Sequence, residues 1–312
     1  MTAARLSSAI RYALVLTVTL AAAPRAASAD PLQVELVLLS PPNLAVGIPI
    51  FWRAHANASG ALLYRFRVGP SGAPLMVTRD FNTRNFLDFT PIDEGPSDVE
   101  VTVRAGSGET ANARGSYLVT ARVTSEDPVV SPTLHPLVAL YSAPACAAGG
   151  AIRVRYGVQG AATEQFTPFK PCQPGRSVNF HSAGLYADTV YQLRHEVVSG
   201  GSSVFGPALT YRTGVPNTVF PPVVIMDPAD DSTRAAEPVL LHGTLMSSTY
   251  RTFPMATDLN GQVLWYYDKS MYPWQTGAHL LRPLTGGTML FVMNDNRVPV
   301  LPGARRSRGS KV

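Results

Sequence analysis

Apolar and polar residues alternate along most of this chain, in short runs separated by turn-forming residues. Residues 51–55, 63–68 and 99–104 each place aromatic or branched side chains on one face of an extended segment and polar side chains on the other. Gly, Pro, Asn and Asp cluster between the runs, and no stretch after residue 29 has the apolar spacing of an amphipathic helix. Because this pattern is typical of antiparallel sandwiches, we predict an all-β protein.

The alternation falls into two consecutive segments, each long enough for one domain built from two sheets. Residues 30–125 are predicted to form an immunoglobulin-like β-sandwich, with Trp52 as its core aromatic residue. The polar linker at residues 124–128 ends that segment, and the pattern starts again in residues 126–214. We therefore expect two sandwiches in tandem.

The second segment resembles the fibronectin type III family in its latter half. Residues 185–191 follow the pattern Leu-x-x-x-Thr-x-Tyr, which in that family fixes the loop before the sixth strand. Residues 213–214 supply the Thr-Gly pair that follows the last strand of the family. The resemblance implies an adhesive or spacer module, because the fold alone carries no chemistry.

Residues 215–296 have a different pattern, in which two hairpins follow each other. The first is predicted about Asn260-Gly261, where the glycine allows the positive φ of a tight hairpin turn. The second is predicted about Gly286-Gly287. Four strands in this order make one blade of a β-propeller. The predicted fold class is therefore all-β, with tandem immunoglobulin/fibronectin III-like sandwiches followed by an incomplete β-propeller blade.

The first 29 residues have the composition of an export signal. Arg5 and Arg11 precede an apolar run at residues 12–23. After that run, Ala27-Ser28-Ala29 supplies the small residues that a signal peptidase requires. We expect cleavage after Ala29 and a periplasmic or extracellular protein, and an uncleaved anchor or an apolar tail is the alternative. No later segment reaches 18 apolar residues, so no transmembrane segment is expected in the mature chain.

Lys and Arg total 26 against 21 Asp and Glu, but the excess lies at the two ends of the chain. Residues 1–29 and 297–312 hold eight bases and no acid, which leaves 18 bases against 21 acids in the body. Such a body lacks the basic stripe that a phosphate backbone requires, so no nucleic-acid partner is expected.

We interpret residues 297–312 as a basic non-domain tail from a frameshifted or prematurely ended gene, with a genuine basic tail as the alternative.

Cys146 and Cys172 are the two cysteines of the chain. Export to an oxidising compartment favours a disulfide between them, which would stabilise the second sandwich by roughly 3–4 kcal/mol. Two free buried thiols are the alternative. No ligand-like histidine or adjacent base accompanies either cysteine, so no metal site or nucleophile is expected there.

The opening blade resembles the bacterial PAPS-independent aryl sulfotransferase (arylsulfate sulfotransferase) family. The resemblance rests on residues 256–268, Ala-Thr-Asp-Leu-Asn-Gly-Gln-Val-Leu-Trp-Tyr-Tyr-Asp, together with the export signal and the sandwich region ahead of the blade. It implies sulfuryl transfer from a phenolic sulfate ester to a phenol through a sulfated histidine. The implied partners are phenolic sulfate and phenol small molecules, no cofactor is implied, and Arg and His side chains would stabilise the developing charge.

His279 is the catalytic candidate, because it opens a strand that would run along a propeller channel. The other five histidines are expected to be structural or solvated: His55, His135, His181, His195 and His242. The nearest cations, Arg251 and Arg282, are expected to be solvated. A six-bladed propeller would need about 200 more residues than this sequence has, so we expect the chain to be inactive as it stands.

Two classes of function follow from these observations. The first is the N-terminal portion of an exported aryl sulfotransferase-like protein. The second is a secreted immunoglobulin/fibronectin-like binding or spacer protein without catalytic activity. No phosphate-binding glycine loop, paired-carboxylate site or Ser/His/Asp spacing separates the two.

Overall fold

The computed structural model describes residues 30–58, 60–228, 230, 232, 238–243, 254–267, 275–283 and 289–295. In these residues every element with defined bounds is a β-strand, which confirms the predicted all-β class. None of the described residues belongs to a helix with the length and apolar character needed to cross a bilayer. The predicted export signal and the basic tail lie outside the described residues.

The first sandwich is built from eight strands in two sheets. Its strands are β1 (Val34–Leu38), β2 (Asn43–Ala45), β3 (Ile50–Ala56), β4 (Leu62–Pro70), β5 (Met76–Asn82), β6 (Phe86–Phe89), β7 (Gly95–Ala105) and β8 (Thr110–Thr120). One sheet has the order β1-β3-β6 and the other the order β2-β8-β7-β4-β5. All neighbours are antiparallel except β2 and β8, which run parallel.

The inward residues of both sheets form one apolar core in the first sandwich. Alternate residues of β7 face that core, and Val99, Val101 and Val103 are fully buried. Trp52 is only 2% exposed and packs edge-to-face on Tyr117, with ring centroids 6.2 Å apart. The predicted core role of Trp52 is therefore confirmed, and the period-two pattern in the sequence is the pattern of burial.

The second sandwich has the strand arrangement of a fibronectin type III module. Its strands are β9 (Val129–Pro132), β10 (Ala139–Ala143), β11 (Ala151–Val158), β12 (Gln165–Phe166), β13 (Lys170–Pro171), β14 (Val178–Ser182), β15 (Val190–Ser199), β16 (Ser202–Phe205) and β17 (Leu209–Arg212). The smaller sheet has the order β14-β10-β9, and the larger has the order β12-β11-β15-β16. Strand β13 also pairs with β11, and β17 also pairs with β15.

The loop before β15 has the geometry that the Leu-x-x-x-Thr-x-Tyr pattern predicts. Leu185 is fully buried, and the backbone N–H of Tyr186 donates to the hydroxyl of Tyr191 at 2.8 Å. The backbone N–H of Thr189 donates to the hydroxyl of Thr213 at 2.9 Å, which joins the loop to the end of β17. This is the tyrosine corner of immunoglobulin-like sandwiches, formed here in the second domain.

A disulfide joins Cys146 to Cys172, with Cα atoms 5.2 Å apart. It connects the segment after β10 to the residue that follows β13, so it closes the predicted loop inside the second sandwich. The backbone N–H of Cys172 donates to the carbonyl of Gly150 at 2.9 Å. The covalent bond and this hydrogen bond hold a short edge strand against β11.

The C-terminal region forms a three-stranded sheet and a separate hairpin. The sheet has the order β18 (Val239–His242), β19 (Met255–Asp258), β20 (Val263–Tyr266), and the hairpin pairs β21 (Gln275–Pro283) with β22 (Met289–Asp295). Gly261 has a φ of 83°, as the turn predicted between β19 and β20 requires. The two groups of strands are not joined in one sheet among the described residues, so the four-stranded propeller blade is not confirmed.

One polar pair is enclosed by the second sandwich and couples its stability to pH. The backbone N–H of His195 donates to the hydroxyl of Tyr141 at 3.2 Å, and that hydroxyl lies 2.9 Å from Nδ1 of the same histidine. Whether the hydroxyl donates to Nδ1 or accepts from it depends on the tautomer of the ring. Burial lowers the pKa of His195 below 6.5, because the charged ring is poorly solvated there.

We predict that this histidine destabilises the fold as the pH falls below about 6.5. Between the folded and unfolded pKa values the unfolded chain binds more protons than the folded chain, so the free energy of unfolding decreases with decreasing pH. Urea unfolding at pH 7.5 and pH 5.5 measures the difference. His195→Gln should reduce this difference relative to the unsubstituted protein. An unchanged difference in His195→Gln would contradict the prediction.

Candidate functional site

The two sandwiches share a core residue. Strand β10 buries Ala139, Tyr141 and Ala143 in the second sandwich, while Leu140 points away from them and packs in the core cluster of the first. Leu140 is only 1% exposed. A Cβ atom on Gly47, which has a φ of 80°, would lie 2.4 Å from Cδ2 of Leu140. Glycine is therefore required at position 47, where the Leu140 side chain packs against the first sandwich.

Hydrogen bonds also connect the two sandwiches at this joint. Arg122, which follows β8, donates from Nε to the carbonyl of Val46 at 2.6 Å and from Nη1 to the hydroxyl of Ser131 at 3.4 Å. The carboxylate of Glu94 accepts from the backbone N–H of Ser177 at 2.6 Å and from its hydroxyl at 2.9 Å. The Arg122–Ser131 and Glu94–Ser177 contacts join residues of different sandwiches, so the joint is held by apolar and polar contacts together.

A second joint connects the second sandwich to the sheet β18-β19-β20. Leu137 and Met255 are nearly inaccessible to solvent and pack with Tyr266, whose ring also meets Phe220 edge-on at 5.1 Å. Nε2 of His135 lies 2.9 Å from the carbonyl oxygen of Tyr266. The sheet thus docks on the second sandwich through a small apolar cluster with a histidine contact beside it.

Asp258 fixes the hairpin turn and the docking at the same time. Its Oδ1 accepts from the backbone N–H groups of Asn260 at 2.9 Å and Gln262 at 2.8 Å, which closes the turn. Its Oδ2 accepts from the hydroxyl of Tyr186 in the second sandwich at 3.0 Å. Burial, with the hydrogen bond and negative charge of Asp258, raises the pKa of Tyr186 to about 12, so the phenol remains a donor at neutral pH.

An open cavity of about 430 Å³ lies at this second joint. Among the described residues, none that lines the cavity carries a charge. Its walls combine apolar surface with a few hydroxyl and amide groups, a composition that suits a small neutral molecule. The principal lining residues are Tyr186, Thr189, Pro216, Thr218, Phe220 and Gln262.

The described structure does not test the catalytic candidate His279 or the expectation that Arg251 and Arg282 are solvated. His279 lies on β21 opposite Val292 in the strand register, and its side chain lies outside the described residues, so its catalytic role stays a prediction. Arg282 lies on the same strand, and Arg251 lies outside the described residues. No group of three or more metal-ligating side chains occurs in the described part of the chain.

Sequence reasoning did not find the residues of either joint. The local sequence contained one indication that Leu140 is buried. The run Ala-Leu-Tyr-Ser-Ala of β10 has an apolar residue on each face and no charged residue, whereas a half-exposed strand would alternate apolar and polar residues. Glu94 and Ser177 are 83 residues apart, and each is an ordinary surface residue in its local sequence. Asp258 was identified only as part of the hairpin pattern, and its contact with Tyr186 depends on docking.

No family model and no curated protein matches this chain. Among solved structures, the chain is similar to the chicken CNTN1 FN1–FN3 domains, with 13% identity, a TM-score of 0.24, and coverage of 55% of this chain and 65% of that one. It is also similar to a two-domain fibronectin type III segment from chicken tenascin, with 12% identity, a TM-score of 0.25, and coverage of 58% and 98%. A cytokine receptor complex has 14% identity, a TM-score of 0.24, and coverage of 59% and 98%.

We predict that the Asp258 contacts contribute measurably to stability. Tyr186→Phe removes one hydrogen bond and should lower the free energy of unfolding by about 1 kcal/mol. Asp258→Ala removes three and should cost roughly 2 kcal/mol or more. Asp127→Ala is the matched control, because Asp127 is exposed in the linker and should change stability by less than about 0.5 kcal/mol. Chemical unfolding monitored by tryptophan fluorescence measures all three, and equal stability of Asp258→Ala and Asp127→Ala would refute the prediction.

Proposed function

We propose that this chain acts as an exported spacer or binding protein that holds its two sandwiches in a fixed relative orientation. The burial of Leu140 in the core of the neighbouring sandwich is the observation that carries this proposal. Domains joined only by a linker move relative to one another by default, and a buried apolar contact is what prevents this. The hydrogen bonds from Arg122 to Ser131 and from Ser177 to Glu94 restrict rotation about that contact.

Export supports the proposal through the chemistry of the disulfide. Disulfides such as the bond between Cys146 and Cys172 are typical of an oxidising compartment, such as a periplasm or the extracellular space. The export signal expected at residues 1–29 would deliver the chain to such a compartment. All-β modules of the fibronectin type III arrangement are suited to this role, because their loops and sheet faces are free to contact other proteins.

We predict that Leu140→Ala loosens the joint between the sandwiches. The change should cost about 2–5 kcal/mol, because it leaves a cavity at a fully buried position. In small-angle X-ray scattering of the mature chain, the variant should show a larger radius of gyration and a broader distance distribution. Leu134→Ala is the matched control, since Leu134 is 57% exposed. If Leu140→Ala does not fold, Glu94→Ala tests the same joint, and scattering identical to wild type from the folded variants would reject the proposal.

The second candidate function is the one implied by the aryl sulfotransferase resemblance. The observation that favours it is the hairpin of β19 and β20 about Gly261, within the segment that carries the resemblance. In this proposal, His279 is the nucleophile, and phenolic sulfates and phenols are the substrates. The sequence contains the pattern of one blade, whereas a closed channel needs several blades to bring cationic side chains to the sulfuryl oxygens.

For this candidate we predict that the purified mature chain does not transfer sulfuryl groups. One blade cannot enclose a channel, so the charge that develops on the sulfuryl oxygens would be unstabilised. Incubation with a chromogenic aryl sulfate and a phenol acceptor, followed by absorbance, measures turnover. A rate above background that His279→Ala abolishes would overturn this expectation and favour the enzymatic function.

A further inference from the structure

Two arginines face each other on the outer surface of the larger sheet of the second sandwich. Arg155 on β11 lies directly opposite Arg194 on β15 in the antiparallel register. Like charges at directly opposed positions destabilise a sheet unless an anion lies between them. This arrangement therefore creates a position where a carboxylate is strongly favoured.

Glu164 occupies that position in the free chain. Its Oε2 lies 3.1 Å from Nε of Arg155, and its Oε1 lies 3.0 Å from Nη2 of Arg194. Glu164 comes from the exposed loop between β11 and β12, where residues 159–164 are all exposed, and its side chain is 33% exposed. Nε of Arg155 is buried, and no acceptor among the described residues is aligned with it in hydrogen-bond geometry. Glu164 therefore compensates the positive charges of Arg155 and Arg194 but does not accept a hydrogen bond from Nε of Arg155.

The neighbouring carboxylate on the same surface is bound differently. Glu196 accepts from Nε of Arg153 at 2.7 Å and from the hydroxyl of Ser203 at 3.1 Å, and its side chain is only 7% exposed. These fixed contacts place Glu196 in the sheet itself. Of the two carboxylates, Glu164 is the one that can leave without unfolding a strand. Departure of Glu164 would leave Glu196 as the one carboxylate beside Arg153, Arg155 and Arg194 among the charged groups described above.

Exposed apolar groups surround the two arginines. The guanidinium carbons of Arg155 and Arg194 lie 5.6 Å and 4.8 Å from the centroid of the Phe205 ring. Phe205 on β16 is 43% exposed, and Phe166 on β12, which lies opposite Arg155 in the strand register, is 59% exposed. Strand β16 lies at the edge of the sheet in the described part of the chain. Arginine and aromatic groups beside an exposed strand are the composition of a protein-binding surface.

We propose that Arg155, Arg194 and Phe205 form a binding site for the carboxylate side chains of an acidic protein segment, and that Glu164 is an intramolecular competitor for this site. This inference deepens the binding role proposed above by naming the partner class. The observed occupant is a carboxylate, and the apolar wall with its open strand edge matches an extended polypeptide. A partner segment displaces Glu164 when it supplies a carboxylate that aligns with Nε of Arg155.

Fluorescence anisotropy with a fluorescein-labelled peptide of six glutamates tests this inference on the mature chain at low ionic strength. Glu164→Gln should increase the affinity about tenfold, because the site is no longer occupied from within. Asp127→Asn is the matched control, since it removes the same charge from the exposed linker and should leave the affinity nearly unchanged. The double variant Arg155→Met/Arg194→Met should lose binding, whereas Arg212→Met, which breaks an exposed ion pair with Asp188, should retain it.

Three outcomes would overturn the inference. Equal affinities of Glu164→Gln and Asp127→Asn would show that Glu164 does not compete for the site. Retained binding in the folded double variant, checked by circular dichroism, would show that the arginines are not the site. Tighter binding of a heparin hexasaccharide, with the same dependence on Glu164, would replace the acidic protein with a sulfated glycan. Scattering of Leu140→Ala reports on the spacer role independently, so failure of one proposal is distinguishable from failure of the other.

Discussion

The arrangement of this protein depends on a strand that is buried on both of its faces. Strand β10 directs Ala139, Tyr141 and Ala143 into its own sandwich and Leu140 into the neighbouring one. A strand at the surface of a sandwich normally exposes alternate residues to water, so covering the second face removes the solvent boundary between the domains. The contacts of Arg122 and Glu94 are then formed at the margin of an apolar contact, where partial burial strengthens them.

The outer surfaces of the two sandwiches repeat one arrangement of charged and aromatic groups. In the first sandwich, the Phe81 ring lies between the guanidiniums of Arg65 and Arg104, at 4.2 Å and 4.1 Å from its centroid. In the second, Phe205 lies beside two guanidiniums in the same way. Arginine stems cover apolar surface while their charged groups remain hydrated, so these aromatic rings are partly shielded from water.

The C-terminal sheet shows how a local motif gains a role through its neighbours. Asp258 closes the turn between β19 and β20 through two backbone N–H groups, which is a local function of Asp before Asn-Gly. The remaining oxygen of the same carboxylate holds Tyr186 of the second sandwich. Stability of the turn and attachment of the sheet are therefore coupled through one side chain, and the cavity at the joint exists because of this attachment.

The local sequence pattern was sufficient to predict the all-β class and the turns discussed above. The period-two alternation predicted β3, β4 and β7, the sequence Asn260-Gly261 predicted a tight turn, and the Tyr191 pattern predicted the corner before β15. Each depends on backbone geometry or on burial of one face, both of which are encoded within a few residues. The single propeller blade stays a prediction, because it pairs two hairpins that are separated along the chain and local pattern does not encode pairing at that range.

The sequence by itself determined the strands, the apolar face of each strand and the turn chemistry, because these depend on neighbouring residues. Only the tertiary structure decided which surfaces meet. Leu140 and Gly47 are 93 positions apart, and Glu164 and Arg194 are 30 apart. Their contacts depend on the orientation of whole sheets, which is set by the sum of many packing interactions rather than by any one segment. For this reason the joints and the arginine site became visible only in the folded chain.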